Sequence, residues 1–324
     1  MNFTIAGTGS SLPERAVGNN DFTKFVETSD EWISTRTGIR ERRFIKEEGL
    51  LSLAAAASQN ALNDAGLDAG EVDLILCATI QGEDISPSLA CSVQRDLGAH
   101  CPAFDLNAGC TGFLYALHTA AAYFRSGMVR HILIVCAEQL SRFLDWRDRS
   151  TCVLFGDGAG AVVLSGGDSL LSIRIGARGQ REYLNLPGAQ ASGPFWDEKE
   201  QTESRIHMNG REIFKFAVTT VQTEIEEAAR EAGITADDID YFLLHQANGR
   251  IIDSARARLR QPEDKFPVNY AECGNTSSAS IPILLDGLNR QHRLKQGNLL
   301  LLCAFGAGLT WGSCVIRWNK TEKS

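Results

Sequence analysis

The chain has 324 residues, of which 44% are hydrophobic and 22% charged, and its formal net charge is −8. This composition is typical of a globular protein with a large core and excludes disordered and collagen-like classes. No apolar run approaches the ~18 residues of a membrane span, and no basic lead-in marks a signal peptide, so we expect no membrane insertion. The acidic balance disfavours a nucleic-acid binder, because phosphate contacts require a basic face.

The cysteines are nine in number and scattered, and none forms a C-x-x-C pair. This spacing favours neither a disulfide framework nor a zinc site. We therefore expect reduced thiols, a cytoplasmic location and no bound metal.

The chain contains an internal repeat. Residues 65–73 match residues 232–240, and residues 131–137 match residues 298–304, both at an offset of 167 positions (233 − 66 and 303 − 136). In the first pair, Gly66 and Gly233 are predicted to end a helix in the left-handed conformation before an apolar strand. Apolar strands that alternate with helices are typical of sheets covered on both faces. We predict a layered α/β fold of two duplicated halves, residues 1–165 and 166–324.

Cys110 lies where a predicted strand, residues 103–106, meets a predicted apolar helix, residues 113–124. A thiol at a helix N-terminus faces unpaired N–H groups and the positive end of the helix dipole, which favour thiolate and lower the thiol pKa. The pattern predicts a nucleophile at Cys110. The alternative is a buried, inert cysteine, which is our interpretation of the other eight.

Residues 178–207 are rich in Gly, Pro and charge and separate the two halves. A connection of this length without a clear element is more often functional than a simple linker. We predict a long surface excursion here.

His245 and Asn275 are the polar residues of interest in the second half. His245 ends an apolar strand, residues 241–244, at a strand-to-helix corner where functional groups commonly gather; a satisfied structural histidine is the alternative. Asn275 follows Pro267 by eight positions, as Cys110 follows Pro102. We therefore predict that Asn275 is the repeat's counterpart of Cys110, although a helix-capping asparagine is also compatible with the local sequence.

Segments along nearly the whole chain resemble the β-ketoacyl-acyl-carrier-protein synthase III family of the thiolase superfamily. Their ordered combination is far more specific than any one of them. They are Gly7-Thr8-Gly9-Ser10, Pro13-Glu14, Asp30-Glu31-Trp32-Ile33, Arg36-Thr37-Gly38-Ile39, the segment around Cys110, Phe155-Gly156-Asp157-Gly158-Ala159-Gly160, His245-Gln246-Ala247-Asn248, Gly274-Asn275-Thr276-Ser277 and Phe305-Gly306-Ala307-Gly308.

The resemblance implies a thiolase-like αβαβα fold, a homodimer and a two-step reaction without a cofactor. Cys110 would take an acyl group from acyl-CoA, and the backbone N–H groups of Cys110 and Ala307 would form an oxyanion hole. His245 and Asn275 would stabilise the enolate that forms when malonyl-acyl carrier protein loses carbon dioxide.

The family's binding positions imply that Trp32 and Arg149 flank the CoA adenine, with Arg36 near the phosphates. A core tryptophan is the alternative. The resemblance together with a basic run after His245 also suggests a carrier-protein surface, for which a solvated charged face is the alternative. Its residues would be Lys215, Arg250, Arg256 and Arg258.

Ser86 marks a departure from many acetyl-selective relatives, which place a bulky aromatic residue immediately before the proline that is Pro87 here. The smaller side chain predicts a roomier acyl pocket that admits branched or longer starters.

Several other activities fit parts of the sequence. Elongating synthases of the superfamily use a second histidine where Asn275 stands, and a biosynthetic thiolase needs a reactive cysteine in the final glycine loop, whereas Cys303 lies in an apolar strand. A related acyltransferase of specialised metabolism would share Cys110 and use another second substrate. A non-catalytic binding protein would be expected to lack one of the three catalytic residues, and none is missing.

Overall fold

The structure, a computed structural model, describes residues 2–188 and 204–320. The strands are β1 (Asn2–Ser11), β2 (Ala16–Gly18), β3 (Glu41–Arg43), β4 (Leu74–Ala78), β5 (Ala103–Leu106), β6 (His131–Gln139), β7 (Asp157–Gly167), β8 (Leu170–Ala177), β9 (Leu184–Asn185), β10 (His207–Met208), β11 (Tyr241–Leu244), β12 (Leu299–Gly306) and β13 (Thr310–Arg317). The helices are α1 (Asn19–Phe22), α2 (Asp30–Thr37), α3 (Leu50–Ala65), α4 (Leu89–Leu97), α5 (Gly112–Ser126), α6 (Gly210–Glu231), α7 (Gly249–Leu259), α8 (Tyr270–Cys273) and α9 (Ser280–Arg290).

Two central sheets organise these elements. The first has the strand order β1-β7-β6-β4-β5, and the second has the order β11-β12-β13-β8. Parallel pairing is confined to one end of each sheet, where β4 pairs with β5 and β6, and β11 pairs with β12, whereas the remaining pairs are antiparallel. Two short ribbons, β2-β3 and β9-β10, lie outside these sheets.

Helices cover both faces of both sheets. Along β4, Leu74 and Leu76 pack with α5 and α9 in the core between the sheets, while Ile75 and Cys77 pack with α3 and α4 on the outside. Along β12, Leu300 lies in the same middle core, and the neighbouring side chains pack with α6 and α7. Alternate side chains of a strand point to opposite faces, so these buried apolar strands require a helical layer on each side. The resulting αβαβα order confirms the predicted fold class.

The internal repeat corresponds to equivalent structure in the two halves. Gly66 (φ 66°) and Gly233 (φ 72°) both adopt the left-handed conformation at the end of a helix, as predicted. Short 3₁₀ turns follow at Ala69–Glu71 and Ala236–Asp238. The last strand of the first sheet along the chain, β7, ends at Gly167, and the first strand of the second sheet, β8, begins at Leu170. The division into residues 1–165 and 166–324 stays a prediction.

A small additional subdomain covers one end of the first half. Its core combines side chains from β2, α1, α2 and the two residues that flank β3, Ile39 and Phe44, with those of residues 140–155. Arg42 of β3 is fully buried there and donates hydrogen bonds to Asn19 Oδ1 at 2.8 Å and to the carbonyl of Val153. A buried guanidinium needs such partners, because burial without hydrogen bonds is strongly unfavourable. The subdomain therefore fixes the position of residues 153–156, which contact Asn275.

Across the residues that the structure describes, no helix is both long enough and apolar enough to cross a membrane. Over the same residues, no group of three or more His, Cys, Asp or Glu side chains is arranged to hold a metal ion.

Candidate active site

A cavity of about 670 Å³ contains the three predicted catalytic side chains, Cys110, His245 and Asn275. Residues 305 and 306 form part of its wall. The helix α2 and residues 149–155 of the first half, together with α6 and α7 of the second half, line the rest. The cavity therefore lies between the two halves and requires both of them.

Cys110 lies in a 3₁₀ turn, Gly109–Thr111, directly before α5. Gly109 has a φ of 55°, and a Cβ on it would lie 3.4 Å from the backbone nitrogen of Ala307. A Cβ on Gly306 would lie 2.8 Å from the backbone nitrogen of Cys110. Residues 306–307 thus pack directly against residues 109–110, and only glycine at position 306 allows this approach. The two backbone N–H groups predicted to form an oxyanion hole belong to these adjoining segments.

The expected lowering of the Cys110 pKa is wrong. Burial raises the pKa of this thiol to about 11, and the negative charge of Glu138 acts in the same direction. The Ser277 side chain acts in the opposite direction. The position before α5 is as predicted, but the surrounding protein outweighs the helix N-terminus. The shift favours the neutral thiol of Cys110 at neutral pH.

His245 follows β11 and is 2% exposed. Its backbone N–H donates to Cys303 at 2.8 Å, and its Nδ1 lies 2.7 Å from Ser280 Oγ. The N–H of Gln246 donates to the same hydroxyl at 3.4 Å, so we assign the hydroxyl proton of Ser280 to Nδ1. Burial lowers the pKa of His245 to about 3, which keeps the ring neutral. In this tautomer Nε2 carries a proton and presents it to the cavity.

Backbone hydrogen bonds on both sides fix the position of Asn275. Its N–H donates to the carbonyl of Leu154 at 2.9 Å, and its carbonyl accepts from Gly156 at 3.0 Å. The side-chain Oδ1 accepts a hydrogen bond from the N–H of Ser277 at 2.9 Å, which leaves the Nδ2 group to face the cavity. Asn275 and His245 therefore each offer an N–H donor in the cavity that holds the thiol. Such a site can hold an acyl group on sulfur and stabilise a developing negative oxygen nearby.

Asn275 is not the counterpart of Cys110, which corrects the equivalence predicted from the repeat. Asn107 Oδ1 accepts from Gly109 N at 3.2 Å, in the same way as Asn275 Oδ1 accepts from Ser277 N. Gly109 and Ser277 also share a positive φ, 55° and 51°. Asn275 is therefore equivalent to Asn107.

The counterpart of Cys110 is Ser278, because each is the second residue of the 3₁₀ turn before α5 or α9. The predicted equivalence rested on the eight-residue intervals from Pro102 to Cys110 and from Pro267 to Asn275, and these two intervals have different secondary structures. Pro102 precedes the strand β5, whereas the residues after Pro267 lead into the helix α8. Equal spacing from a proline therefore does not give equivalent positions in this pair of halves.

The three predicted CoA-binding residues lie together at the cavity wall. The guanidinium carbons of Arg36 and Arg149 lie 4.8 and 4.6 Å from the Trp32 ring centroid, and Arg149 also donates to the carbonyl of Glu27 at 2.8 Å. A base stacked between the indole and the guanidinium would separate the two groups by two stacking distances of about 3.5 Å each. Arg149 would therefore have to move for an adenine to enter between it and Trp32.

The predicted carrier-protein surface divides into two parts. Lys215 and Arg250 line the cavity, where Lys215 pairs with Glu212 at 2.9 Å. Arg256 and Arg258 lie further along α7, outside the cavity wall. Arg256 is within 3.6 Å of Asp253 and 4.0 Å of an oxygen of Glu263, whereas Arg258 is exposed. The ion pairs reduce the basic character of this face, which the sequence run alone overstates. The basic residues of the two parts and their acidic partners are Glu212, Lys215, Arg250, Asp253, Arg256, Arg258 and Glu263.

Ser86 is exposed and does not line the cavity of its own chain. The predicted acyl pocket therefore receives no wall from this residue within one chain. Residues 189–203, half of the predicted excursion, lie outside the described residues. Its described part includes Leu184 of β9, which lines the cavity together with Met208 of the paired strand β10, so the excursion contributes to the site and is not only surface.

Ser280 is a contributor that the sequence analysis missed. It is 1% exposed and fixes the His245 ring. The two residues are 35 positions apart, and no local sequence pattern connects them. Only the packing of α9 against β11 shows the connection.

Profiles of one protein family match the chain in two places. The profile described as 3-oxoacyl-[acyl-carrier-protein (ACP)] synthase III matches residues 104–179, and the one described as its C terminal matches residues 229–318. A beta-ketoacyl-[acyl-carrier-protein] synthase III of Clostridium acetobutylicum is 46% identical over 320 residues, which are 98% of each chain. One of Trichormus variabilis is 46% identical over 328 residues, which are 99% of each chain.

Solved structures agree with these sequence matches. The 3-oxoacyl-[acyl-carrier-protein] synthase III of Aquifex aeolicus superposes with a TM-score of 0.91 at 42% identity, covering 97% of this chain and 99% of that one. The priming beta-ketosynthase of the R1128 polyketide pathway gives a TM-score of 0.92 at 35% identity, covering 99% and 97%. The chain belongs to the β-ketoacyl-acyl-carrier-protein synthase III family of condensing acyltransferases.

The raised thiol pKa predicts how Cys110 reacts with iodoacetamide. Alkylation should accelerate with pH from neutrality up to about 11, because only the thiolate reacts. Peptide mass mapping over a pH series separates Cys110 from the exposed Cys91, and Cys110→Ser gives the background. A rate that levels off near neutral pH would show that the thiolate is already formed there and would contradict the raised pKa.

Proposed function

We propose that this chain condenses an acyl-CoA starter with malonyl-acyl carrier protein, releasing carbon dioxide and forming a 3-oxoacyl-acyl carrier protein at the start of fatty acid synthesis. The observation that carries the proposal is one cavity holding a thiol together with two N–H donors, from His245 and Asn275. The names of the full-length relatives from Clostridium and Trichormus support the same activity.

In the first half-reaction the Cys110 sulfur attacks the thioester carbonyl of acyl-CoA. The carbonyl oxygen becomes negative in the tetrahedral intermediate and is stabilised by the backbone N–H groups of Cys110 and Ala307. Because the thiol rests in its neutral form, its proton must leave as the new C–S bond forms. CoA then departs and leaves an acyl group on Cys110.

In the second half-reaction the malonyl group loses carbon dioxide, and the electron pair of the broken bond forms an enolate. His245 Nε2–H and Asn275 Nδ2–H donate to the thioester oxygen as its negative charge develops. A neutral imidazole is suited to this role because it offers a donor without transferring its proton completely. The enolate carbon then attacks the acyl carbonyl, and the C–S bond to Cys110 breaks.

The proposal includes a CoA site at Trp32, Arg36 and Arg149, where two cations and an indole adjoin the cavity. It also includes a cytoplasmic location, which is supported by nine cysteines that are all free thiols. The reaction as proposed has no step through a metal or cofactor.

Half-reaction assays test the proposal. Cys110→Ser should abolish acyl transfer from acyl-CoA, detected by intact-mass measurement. His245→Ala and Asn275→Ala should retain acyl transfer but lose about 10²-fold or more in decarboxylation of malonyl-acyl carrier protein, because each removes a donor to the enolate oxygen. Acylation of the wild type without any condensation would contradict the proposed second substrate. Equal loss of both half-reactions in all three variants would contradict the division of roles.

The carrier-protein surface proposed for Lys215, Arg250, Arg256 and Arg258 is tested best at Arg258, which lies outside the cavity. Arg258→Glu should raise the KM for malonyl-acyl carrier protein about three- to tenfold, because a rim charge steers an acidic partner. The effect should weaken as salt is added, while acylation by acyl-CoA is unchanged. Arg95→Glu, the same charge reversal on α4, is the control. A similar KM in both variants would contradict a docking role for α7.

We also propose a homodimer that forms through the outer edge of β5. This strand ends the first sheet, and no strand of the described residues covers its outer edge. Phe104 on β5 is 36% exposed, and Ile85, in the loop between β4 and α4, is 88% exposed. Asp105 accepts from the N–H groups of Leu89 and Ala90, so the loop with Ser86 lies beside this edge. An uncovered strand edge next to exposed apolar side chains is suited to pairing with a second copy.

Ser86 on this loop would contribute to an acyl pocket only across such a dimer. Starter competition among acetyl-, isobutyryl- and hexanoyl-CoA should then show efficient use of the larger starters, and Ser86→Phe should shift the preference towards acetyl-CoA. Light scattering on the same samples should give twice the chain mass. A clear acetyl-CoA preference of the wild type would contradict the roomier pocket, and a monomer mass would contradict the dimer.

A further inference from the structure

Glu138 is a buried carboxylate that the proposed cycle does not use. It lies near the end of β6 and is 1% exposed. Its Oε1 accepts hydrogen bonds from Ser277 Oγ at 3.0 Å and Ser278 Oγ at 2.7 Å, and its Oε2 accepts from the N–H of Ile80 at 3.1 Å. These partners are neutral donors, so within the described part of the chain the carboxylate has hydrogen bonds but no direct ion pair to hold its charge.

The titratable groups that face Glu138 are Cys77, Cys136, Cys110 and Arg142. Burial raises the pKa of Cys77 and Cys136 well above the ordinary range, so both stay protonated. Arg142 is the facing cation, and it donates to the carbonyl of Gly82 at 2.8 Å. Burial raises the pKa of Glu138 to about 7 despite the hydrogen bonds, which favour the anion. The carboxyl group can therefore exchange a proton near neutral pH.

Ser277 connects this carboxylate to the nucleophile. Its hydroxyl donates its single proton to Glu138. Ser277 also lies in the turn Ser277–Ala279, which packs against the turn Gly109–Thr111 that contains Cys110, and its side chain is close enough to affect the pKa of the Cys110 thiol. A serine oxygen that donates in one direction still has lone pairs to accept in another. Ser277 is therefore positioned to relay a proton between the Cys110 sulfur and Glu138.

His245 is a poor alternative acceptor for the thiol proton. Its Nδ1 is occupied by Ser280, and burial lowers its pKa to about 3. The thiol nevertheless has to lose its proton when it attacks the thioester, since the pKa of Cys110 is raised to about 11. A buried base with a pKa close to the working pH is the efficient solution to such a transfer.

We propose that Glu138, acting through Ser277, takes up the Cys110 proton during acyl transfer and returns it to the same sulfur during condensation. The inference rests on the proposed function. In the first half-reaction the new C–S bond forms while the thiol proton moves to Ser277 Oγ and the Ser277 proton moves to Glu138. The bond to CoA then breaks, and CoA leaves as a thiolate that takes a proton from solvent.

The second half-reaction reverses the transfer. Carbon dioxide leaves, the new C–C bond forms and the C–S bond to Cys110 breaks with its electron pair on sulfur. The proton held by Glu138 passes through Ser277 to this sulfur and restores the thiol. Over the whole cycle one proton is consumed from solvent, as the loss of the malonyl carboxylate requires.

Glu138→Gln tests the proposal because glutamine keeps the shape and an acceptor oxygen but is no base. Single-turnover acylation of Cys110 by acyl-CoA should fall about 10²-fold, the contribution typical of a positioned base. The wild-type rate should rise with pH through about 7, as Glu138 loses its proton, and the variant should lack this rise. Iodoacetamide alkylation should change in the opposite direction and become faster, because the variant removes a negative charge beside the thiol.

The two serines provide a matched pair of variants. Ser277→Ala interrupts the path and should slow acylation as Glu138→Gln does, whereas Ser278→Ala removes a hydrogen bond to the same oxygen and should acylate close to the wild-type rate. Thermal unfolding of each variant verifies the fold. If Glu138→Gln does not fold, the comparison of the two serine variants decides.

Acylation at the wild-type rate in Glu138→Gln or Ser277→Ala would overturn the proposal. Acylation and alkylation that fall together would also overturn it, because that outcome indicates a structural role. Failure of the proposed function is distinguishable from both, since the wild type itself would then not be acylated by acyl-CoA.

Discussion

The close backbone approach between the two halves is the constraint on which the site depends. A Cβ on Gly306 would lie 2.8 Å from the Cys110 nitrogen, a distance that real side chains do not tolerate. The end of β12 and the turn before α5 can therefore meet only because residue 306 has no side chain. This meeting brings a thiol of one half to the imidazole and amide of the other. The middle helices α5 and α9, buried between the sheets, directly follow the turn that contains Cys110 and the turn that comes after Asn275.

Burial sets the protonation state of the site. It raises the pKa of Cys110 to about 11, lowers that of His245 to about 3 and raises that of Glu138 to about 7. All three shifts favour the neutral form over the charged one, as removal from water does. Cys110 and His245 are therefore uncharged before substrate arrives, whereas Glu138 can hold or release a proton near neutral pH.

Local sequence predicted the features that depend on local structure. The position of Cys110 before a helix, that of His245 at the end of a strand and the left-handed glycines each follow from a few adjacent residues, and the offset of 167 positions indicated the duplicated architecture. The pKa of Cys110 was predicted in the wrong direction because its burial comes from segments that are distant in sequence. The equivalence of Asn275 failed because a strand follows Pro102 and a helix follows the residues after Pro267. Ser280 and Glu138 were missed since their contacts join residues 35 and 139 to 140 positions apart.

Arg149 stacks on Trp32, so its guanidinium would compete with a ligand base for the indole ring in the proposed CoA site. Whenever a base leaves the indole, the guanidinium can return to it at once, because it is part of the same chain and already lies 4.6 Å away. A cation–π contact at an exposed site is worth about 0.5–1 kcal/mol, so this competition weakens ligand affinity by a factor of about two to five. The loss shortens the residence time of the first product. In a two-step cycle, that favours departure of CoA before the second thioester has to enter the same cavity.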